Sequence, residues 1–389
     1  MIGVYVHIPY CLKKCRYCDF CSIPIDETAG RYCAAVKREI ALVKDRYPGE
    51  RVKSIFFGGG TPTALKAEDL VLILDAIRNA FAVEPDAEIS LECNPKTIGY
   101  DGLKRLFDAG FNRLSIGLQA TQNALLARIG RVHTFEEFLS TYRASRDAGF
   151  RNINVDLMHG LPGQTQNDYL DAIRTVAALE PTHISAYSLI LEEGTPLYDD
   201  VSAGRETLPD EDAVADMEDA GMDLLESLGY HRYEVSNFAK PGFECRHNLI
   251  YWHNESYLGL GVAAHSSMIE DGFRVRFSNE SSIPAYFKKT EKGKLPRAER
   301  ILINTFEQMF ESVMLGLRLT SGIDRKAFCD RFGCDVIETY REAYDKNERY
   351  GFWDHSDPGF LRLTKNGMDH LDAVLRDFRA RRWIDFLRR

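Results

Sequence analysis

The sequence predicts an α/β fold: a parallel sheet assembled from βα units over residues 1–205, a middle segment over 206–295, and a small α/β module over 296–389. Two patterns predict it. Short runs of β-branched and aromatic residues alternate with longer stretches that are apolar at three- and four-residue spacing, and several of the short runs end directly in glycine-rich or polar turns. Candidate strands are Ile2 to Ile8, Lys53 to Phe57, Glu88 to Glu92, Arg113 to Gly117, Asn152 to Leu157 and His183 to Ser188. Candidate helices fill the gaps: Tyr32 to Arg46, Glu68 to Phe81, Gly102 to Ala109, Phe135 to Ala148 and Gln166 to Ala178. Strict alternation requires a crossover after each strand, hence parallel neighbours. Alternation alone does not say whether the sheet stays open or curls into a barrel.

After about residue 200 the rhythm changes. A long helix is expected from Asp210 to Leu228, a strand-like run from His231 to Asn237, and a glycine- and aromatic-bearing stretch from Phe238 to Ser278. Arg297 to Leu317 reads as one helix, followed by a helical piece over Gly322 to Phe332, a strand at Leu361 to Leu363 and a last helix, Lys365 to Phe378. At 389 residues the chain exceeds the roughly 250–300 at which one core stops growing, so a second core is expected.

Composition narrows the function. Hydrophobic residues make up 44% and charged residues 28%, the balance of an ordinary folded protein. The net charge is −9, with no basic stripe, which disfavours nucleic acid as a partner. No basic segment precedes a long apolar run near Met1, and about 18 consecutive apolar residues occur nowhere, so no signal peptide or membrane span is expected and a cytoplasmic location is. In a reducing compartment, the crowding of Cys11, Cys15, Cys18 and Cys21 reads as metal binding or catalysis sooner than as disulfides.

Cysteine thiolates hold iron–sulfur clusters, and a four-iron cube normally takes four. Cys11, Cys15 and Cys18 follow the first strand in a C-x3-C-x2-C loop, and three ligands leave one iron open to a small molecule. The competing reading is a structural zinc with Cys21 as fourth ligand, although zinc prefers paired short spacings. Downstream, Gly58-Gly59-Gly60-Thr61-Pro62 ends the second strand, where glycines let the backbone approach a ligand closely. Glu92, Gln119, Arg131 and Asp156 fall at later strand ends or the loops after them, on the rim that carries active sites in parallel α/β folds.

These motifs resemble the radical SAM superfamily. Finer matches narrow the likeness: VYVHIPYC at 4–11, FFGGGTPT at 56–63, SIGLQ at 115–119, GRVH at 130–133, VDLMHGLPGQT at 155–165, ISAYSLILEEGTPL at 184–197, YEVSNFAKPGFECRHNLIYW at 233–252, and YLGLG followed by AHS. Together they are similar to the oxygen-independent coproporphyrinogen III oxidase group, and most closely to its heme-chaperone (HemW) branch, almost from end to end. The resemblance implies a partial six-stranded parallel (β/α)6 barrel with a winged-helix-like C-terminal domain. It also implies a [4Fe-4S] cluster on Cys11, Cys15 and Cys18, with S-adenosylmethionine on the open iron and cleaved to a 5′-deoxyadenosyl radical after one-electron reduction. Tyr5, Gly59 and Glu92 match contacts of that S-adenosylmethionine; Tyr17, Gly60, Thr61, Gln119, Arg131 and Asp156 match positions that contact a second one in the oxidase.

Two features separate the branches. The oxidase carries an N-terminal extension and continues its motif Cys-x-Cys, whereas here the first strand starts at once and Phe20 follows Asp19. The chaperone pattern is His247-Asn248-Leu249-Ile250-Tyr251-Trp252, in which His247 is the expected heme ligand and Tyr251 and Trp252 are a wall for the porphyrin; Cys245, His253 and His265 are alternative ligands. Cys21 departs from that pattern and is either a spare ligand or a small buried residue. The expected partners are heme, a heme-accepting protein such as a respiratory enzyme, an electron donor and a second copy of the chain. Oxidative decarboxylation of coproporphyrinogen III to protoporphyrinogen IX is the alternative function.

Overall fold

The computed structural model describes residues 1–379. Strand β1 (Ile2–Ile8) leads into β2 (Tyr10–Cys11), which pairs with β3 (Ile23–Pro24) across the cysteine loop. The βα series follows: α1 (Ala29–Arg46), β4 (Arg51–Gly59), α2 (Ala67–Ala80), β5 (Ala82–Cys93), α3 (Tyr100–Asp108), β6 (Arg113–Gln119), α4 (Asn123–Arg128), α5 (Phe135–Ala148), β7 (Asn152–His159), α6 (Gln166–Ala177) and β8 (His183–Ser188). Then come α7 (Pro196–Ser202), α8 (Glu211–Ser227), β9 (His231–Arg232), β10 (Asn237–Ala239), α9 (Arg246–Trp252), β11 (Tyr257–Leu260), β12 (His265–Glu270), β13 (Phe273–Asn279), α10 (Ile283–Glu291) and β14 (Arg297–Leu302).

Apart from β2 and β3, which pair only with each other, these strands form one sheet in the order β14-β13-β12-β11-β1-β4-β5-β6-β7-β8-β10-β9. The six expected strands are its centre, all parallel. Strand β11 adds a seventh parallel strand beside β1, β12 to β14 continue antiparallel from there, and β10 and β9 extend the β8 edge. Because β1 and β8 each pair with these additions and not with each other, the barrel is partial.

Alternation along each strand sorts the residues. Val4, Val6 and Ile8, Ile55 and Phe57, Ile89 and Leu91, Leu114 and Ile116, Ile153 and Val155 point outward into one core beneath the helices. Their neighbours point into the lumen and are mostly polar. Burying roughly 25 cal/mol of stabilisation per Å² of apolar surface on the outer face is what lets the lumen keep polar groups.

Three segments differ from the sequence expectation. Residues 231–237 form two short strands separated by a turn, and the last helix is interrupted at His370, giving α15 (Lys365–Asp369) and α16 (Leu371–Arg379). Arg297 to Leu317 is not one helix: β14 comes first and α11 (Thr305–Gly316) after it. Strand β14 is made of residues with good helix propensity, but Arg297 and Arg300 both bind the buried Glu270 of β12, and the Arg297 guanidinium lies 3.8 Å from the Phe277 ring centre. Tertiary contacts override a weak local preference here. Asn304 then opens α11 with a capping box to Glu307. The main sheet therefore runs past residue 295, the expected end of the middle segment.

Beyond α11 lie β15 (Ile323–Asp324), α12 (Arg325–Phe332), α13 (Val336–Thr339), α14 (Arg341–Glu348), β16 (Trp353–Asp354) and β17 (Phe360–Leu363). They form a three-stranded antiparallel sheet, order β15-β17-β16, with helices around a separate core that includes Val313, Phe328, Trp353, Leu363 and Val374. This is the expected winged-helix-like module. Among the described residues no helix is long and apolar enough to cross a membrane.

Candidate metallocofactor site at the barrel mouth

The parallel strands deliver their carboxyl ends to one rim, and the cysteine loop lies on it. Cys11 is buried on β2; Cys15 and Cys18 are half-buried in the loop that follows. The base of the loop is pinned by Ile23 N–H to Pro9 O (2.7 Å) and Ile25 N–H to Cys11 O (2.8 Å). Beside it, Gly60 N–H donates to Ile8 O at 2.8 Å and Thr61 N–H to Tyr10 O at 2.7 Å. A Cβ on Gly60 would sit 2.8 Å from Tyr10 O and 3.1 Å from Cys11 Sγ, and Gly59 has φ 110° with the His7 ring against its Cα. The glycine run is thus demanded by close approach of two backbones and a thiol.

Two groups of side chains stand around this loop. In the first, Thr61 Oγ1 donates to Cys11 Sγ at 3.5 Å and accepts from Asn94 Nδ2 at 2.6 Å. Arg131 donates to Cys15 Sγ (3.5 Å), to Asn94 Oδ1 (2.6 Å) and to Gly117 O. Gln119 sits beside Gly117 in the left-handed region at φ 78°, and Tyr17 packs against a small apolar cluster that includes Leu125, Leu126 and Met158. Burial pushes the Tyr17 phenol up, with Arg131 opposing and Cys15, Cys18 and Asp156 adding to it. In the second, Glu92 Oε2 accepts from Gly59 N–H at 3.0 Å, and the Tyr5 hydroxyl lies 3.1 Å from His7 Nδ1. His7 Nε2 is 2.8 Å from Cys21 O, a carbonyl that can only accept, so Nδ1 carries no proton and Tyr5 donates to it.

Burial, and then the Asp156 charge, push the Glu92 carboxyl up to about 8. Burial also raises Asp156, against hydrogen bonds such as that from Asn154 Nδ2 at 2.7 Å. Two carboxyls that resist ionising together are poised to meet a cation or to share a proton. Expected site residues Tyr5, Tyr17, Gly59, Gly60, Thr61, Glu92, Gln119, Arg131 and Asp156 are all brought to the rim or the upper lumen.

The donor set suits an iron–sulfur cube. Among the described residues no three His, Cys, Asp or Glu side chains converge tightly enough to hold a single metal ion. A cube would present a separate iron to each thiolate, so three thiols on one short loop beside a glycine cradle fit such a group with one iron left open. Cys15, Thr61, Asn94 and Arg131 also line a cleft at the loop.

His247 is placed elsewhere. It belongs to α9, which closes the opposite end of the barrel, where its ring lies 5.2 Å from Phe56 and 6.5 Å from Tyr5. Its Nδ1 pairs with Ser54 Oγ (2.8 Å) and its Nε2 with Tyr251 OH (2.9 Å), leaving neither nitrogen free for iron, and the residue is 1% exposed. Burial, then the Arg113 charge, lowers it to about 3, so it is a neutral core imidazole. Cys245 is fully buried, whereas His253 and His265 are exposed.

Residues that sequence reasoning passed over hold this plug. Glu88 accepts from Arg246 N–H (2.9 Å), His247 N–H (3.2 Å) and Ser90 Oγ (3.0 Å), binding the first turn of α9. His183 bridges Asn154 Oδ1 (2.6 Å) and Tyr233 OH (2.9 Å), and that hydroxyl accepts from Cys245 N–H at 3.2 Å. A signal existed: the strands alternate polar and apolar residues, as in Glu88-Ile89-Ser90-Leu91-Glu92 and Asn152-Ile153-Asn154-Val155-Asp156.

A profile of the Radical SAM superfamily matches residues 5–176, and one of the HemN C-terminal domain matches residues 305–370. The solved structure of coproporphyrinogen III oxidase (HemN) from Escherichia coli, described as a radical SAM enzyme, superposes with a TM-score of 0.83 over 97% of this chain and 90% of that one, at 24% identity. Fold and cysteine loop together define a radical SAM protein. Heme chaperone HemW of Bacillus subtilis (strain 168) is 38% identical over 339 residues, 86% of this chain and 87% of its own. Heme chaperone HemW of Escherichia coli (strain K12) is 33% identical over 387 residues, 97% of this chain and 98% of its own. The chain belongs to the HemW family of radical SAM proteins.

Proposed function

We propose that this protein is a heme chaperone that carries a [4Fe-4S] cluster on Cys11, Cys15 and Cys18, binds S-adenosylmethionine at the barrel mouth, and passes heme to an acceptor protein in the cytoplasm. The observation that supports it best is the three-thiol loop seated against Gly59, Gly60, Thr61 and Arg131, in a chain matched over nearly its full length by chaperones. When bound, such a cluster supplies an open iron and single electrons. The chain's own groups do the rest. Tyr5, its proton committed to His7, offers an oxygen lone pair to an ammonium group. Glu92 and Asp156 accept from ammonium or hydroxyl groups, and Arg131 offers a planar cation to a carboxylate.

For the heme itself, the exposed His253 and His265 are imidazoles that reach solvent, whereas His247 plugs the barrel. A reductant protein and self-association complete the expected partners. The likeness to the oxidase at 24% identity is one of fold. One experiment tests the reading: anaerobic, reconstituted protein receives S-adenosylmethionine, dithionite and coproporphyrinogen III while heme is titrated in parallel by its Soret band. Tight heme binding without decarboxylated product is expected. Turnover of the porphyrinogen would overturn the chaperone assignment.

A further inference from the structure

We infer that Arg16 is a positioning residue for the cluster, a strap that ties the cysteine loop across the barrel mouth. The inference rests on the cluster reading above. Arg16 lies between Cys15 and Cys18, and both of its backbone polar groups are engaged far from the loop in sequence: its N–H donates to Ile129 O at 3.0 Å, and its carbonyl accepts from Leu197 N–H at 2.9 Å. Ile129 follows α4, and Leu197 is in the first turn of α7.

The side chain repeats the same two attachments. Its Nη1 donates to Arg128 O at 2.6 Å, at the carbonyl end of α4, and lies 3.4 Å from Glu206 Oε1, while Nη2 pairs with Asp200 on α7. The stem passes over Gly130, where a Cβ would come within 2.9 Å of Arg16 Cγ. Asp200 is also held by Arg205 Nε at 2.5 Å, so the receptor is itself fixed. Side-chain exposures of 28%, 21% and 16% for Arg16, Asp200 and Glu206 mean that solvent screens these pairs only in part.

The consequence is local and mechanical. Cys11 is anchored by the β2–β3 pairing, but Cys15 and Cys18 sit on a loop with no strand or helix of its own. Fixing residue 16 at five points on α4, α7 and the turns that follow them removes the backbone freedom of the segment that carries both thiols, so the ordering cost is met on folding and not on cluster binding. The strap also spans from the β1 side of the open barrel to the elements after β6 and β8.

The test compares anaerobically reconstituted parent, Arg16→Ala, Arg16→Lys and the double variant Asp200→Asn/Glu206→Gln. Three quantities are read: the rate of iron release to a ferrous chelator, the EPR spectrum of the reduced cluster with and without S-adenosylmethionine, and the thermal midpoint of the cluster-free proteins. Arg16→Ala and the acid variant should release iron roughly tenfold faster, as loss of a charge-assisted contact would give, with Arg16→Lys in between. Their EPR line shapes should broaden, while the cluster-free midpoints stay close to the parent's. Should Arg16→Ala fail to fold, the other two variants carry the same comparison. Release rates and spectra equal to the parent's would overturn the role of Arg16. A parent that takes up no cluster would instead overturn the cluster reading, and this inference with it.

Discussion

Replacing His247 by Ala separates a plug from a heme ligand. In the structure the ring gives up two hydrogen bonds, to Ser54 and Tyr251, and its stacking on Phe56. The two bonds together are worth about 2 kcal/mol, a figure that includes the hydroxyls they leave unpaired. The vacated volume adds about 1–2 kcal/mol, because Gly3, whose missing Cβ would be 3.3 Å from the ring, has no side chain to fall into the space. The expected loss is therefore about 3–4 kcal/mol, measured by urea unfolding of the cluster-free protein at pH 7. The loss should shrink in acid. A buried imidazole lowered to about 3 binds fewer protons than its unfolded counterpart near 6.5, so its contribution is complete above pH 6.5 and disappears as pH falls toward 3. Heme titration of the same variant, beside His253→Ala and His265→Ala, should leave the His247 variant's affinity nearest the parent's. A stability loss under about 1 kcal/mol together with lost heme retention would refute the plug and return His247 to the iron.

Further outcomes follow from the same geometry. Serine at Cys11, Cys15 or Cys18 should each abolish the visible charge-transfer absorbance of the reconstituted cluster, whereas Cys21→Ser should retain it, as iron and sulfide content will show. Gly59→Ala forces a side chain into φ 110° and against the His7 ring, so the protein should lose about 2 kcal/mol in urea unfolding and S-adenosylmethionine affinity in calorimetry. Glu39 is buried on α1, accepts from Gly261 N–H, Asn279 Nδ2 and Tyr286 OH, and is raised by burial to about 7. In the window from the usual 4.5 up to 7 the folded state holds the extra proton, so this carboxyl's contribution to stability declines as pH rises through that window. Glu39→Gln should flatten that decline in unfolding midpoints taken from pH 5 to 8; an unchanged slope would sink the assignment.

The six central strands were legible because βα alternation is a local pattern. What extends the sheet was not. Strand β11 is the four residues Tyr257–Leu260, too short to show a period, and it is a strand because β1 offers it a parallel edge. Strand β14 spells out a helix in its own residues and becomes a strand through Glu270, a partner 27 positions from Arg297 and 30 from Arg300. Such long-range choices leave no mark on the segment itself. Asn304 and Glu307, by contrast, carry a capping box that marks where α11 starts, and reading it would have cut the expected helix at the right place.

The site divides along the same line. On the proposed cluster reading, Cys11, Cys15, Cys18 and Arg131 announce themselves because ligand chemistry would restrict residue type at fixed spacing, while Gly59 is fixed by the close approach of the His7 ring. His247 belongs to an equally distinctive motif, yet its distinctiveness has another source: α9 must end the barrel with a helix whose first turn meets Glu88, whose ring fits between Ser54 and Tyr251, and whose neighbour Cys245 meets Tyr233. A buried polar plug restricts residue type as strongly as a metal does, since each unpartnered group there costs about 1–3 kcal/mol. The two constraints look alike in a sequence and come apart only when the donors are counted: a thiol or imidazole meant for a metal keeps a lone pair directed at open space, and His247 has none to spare.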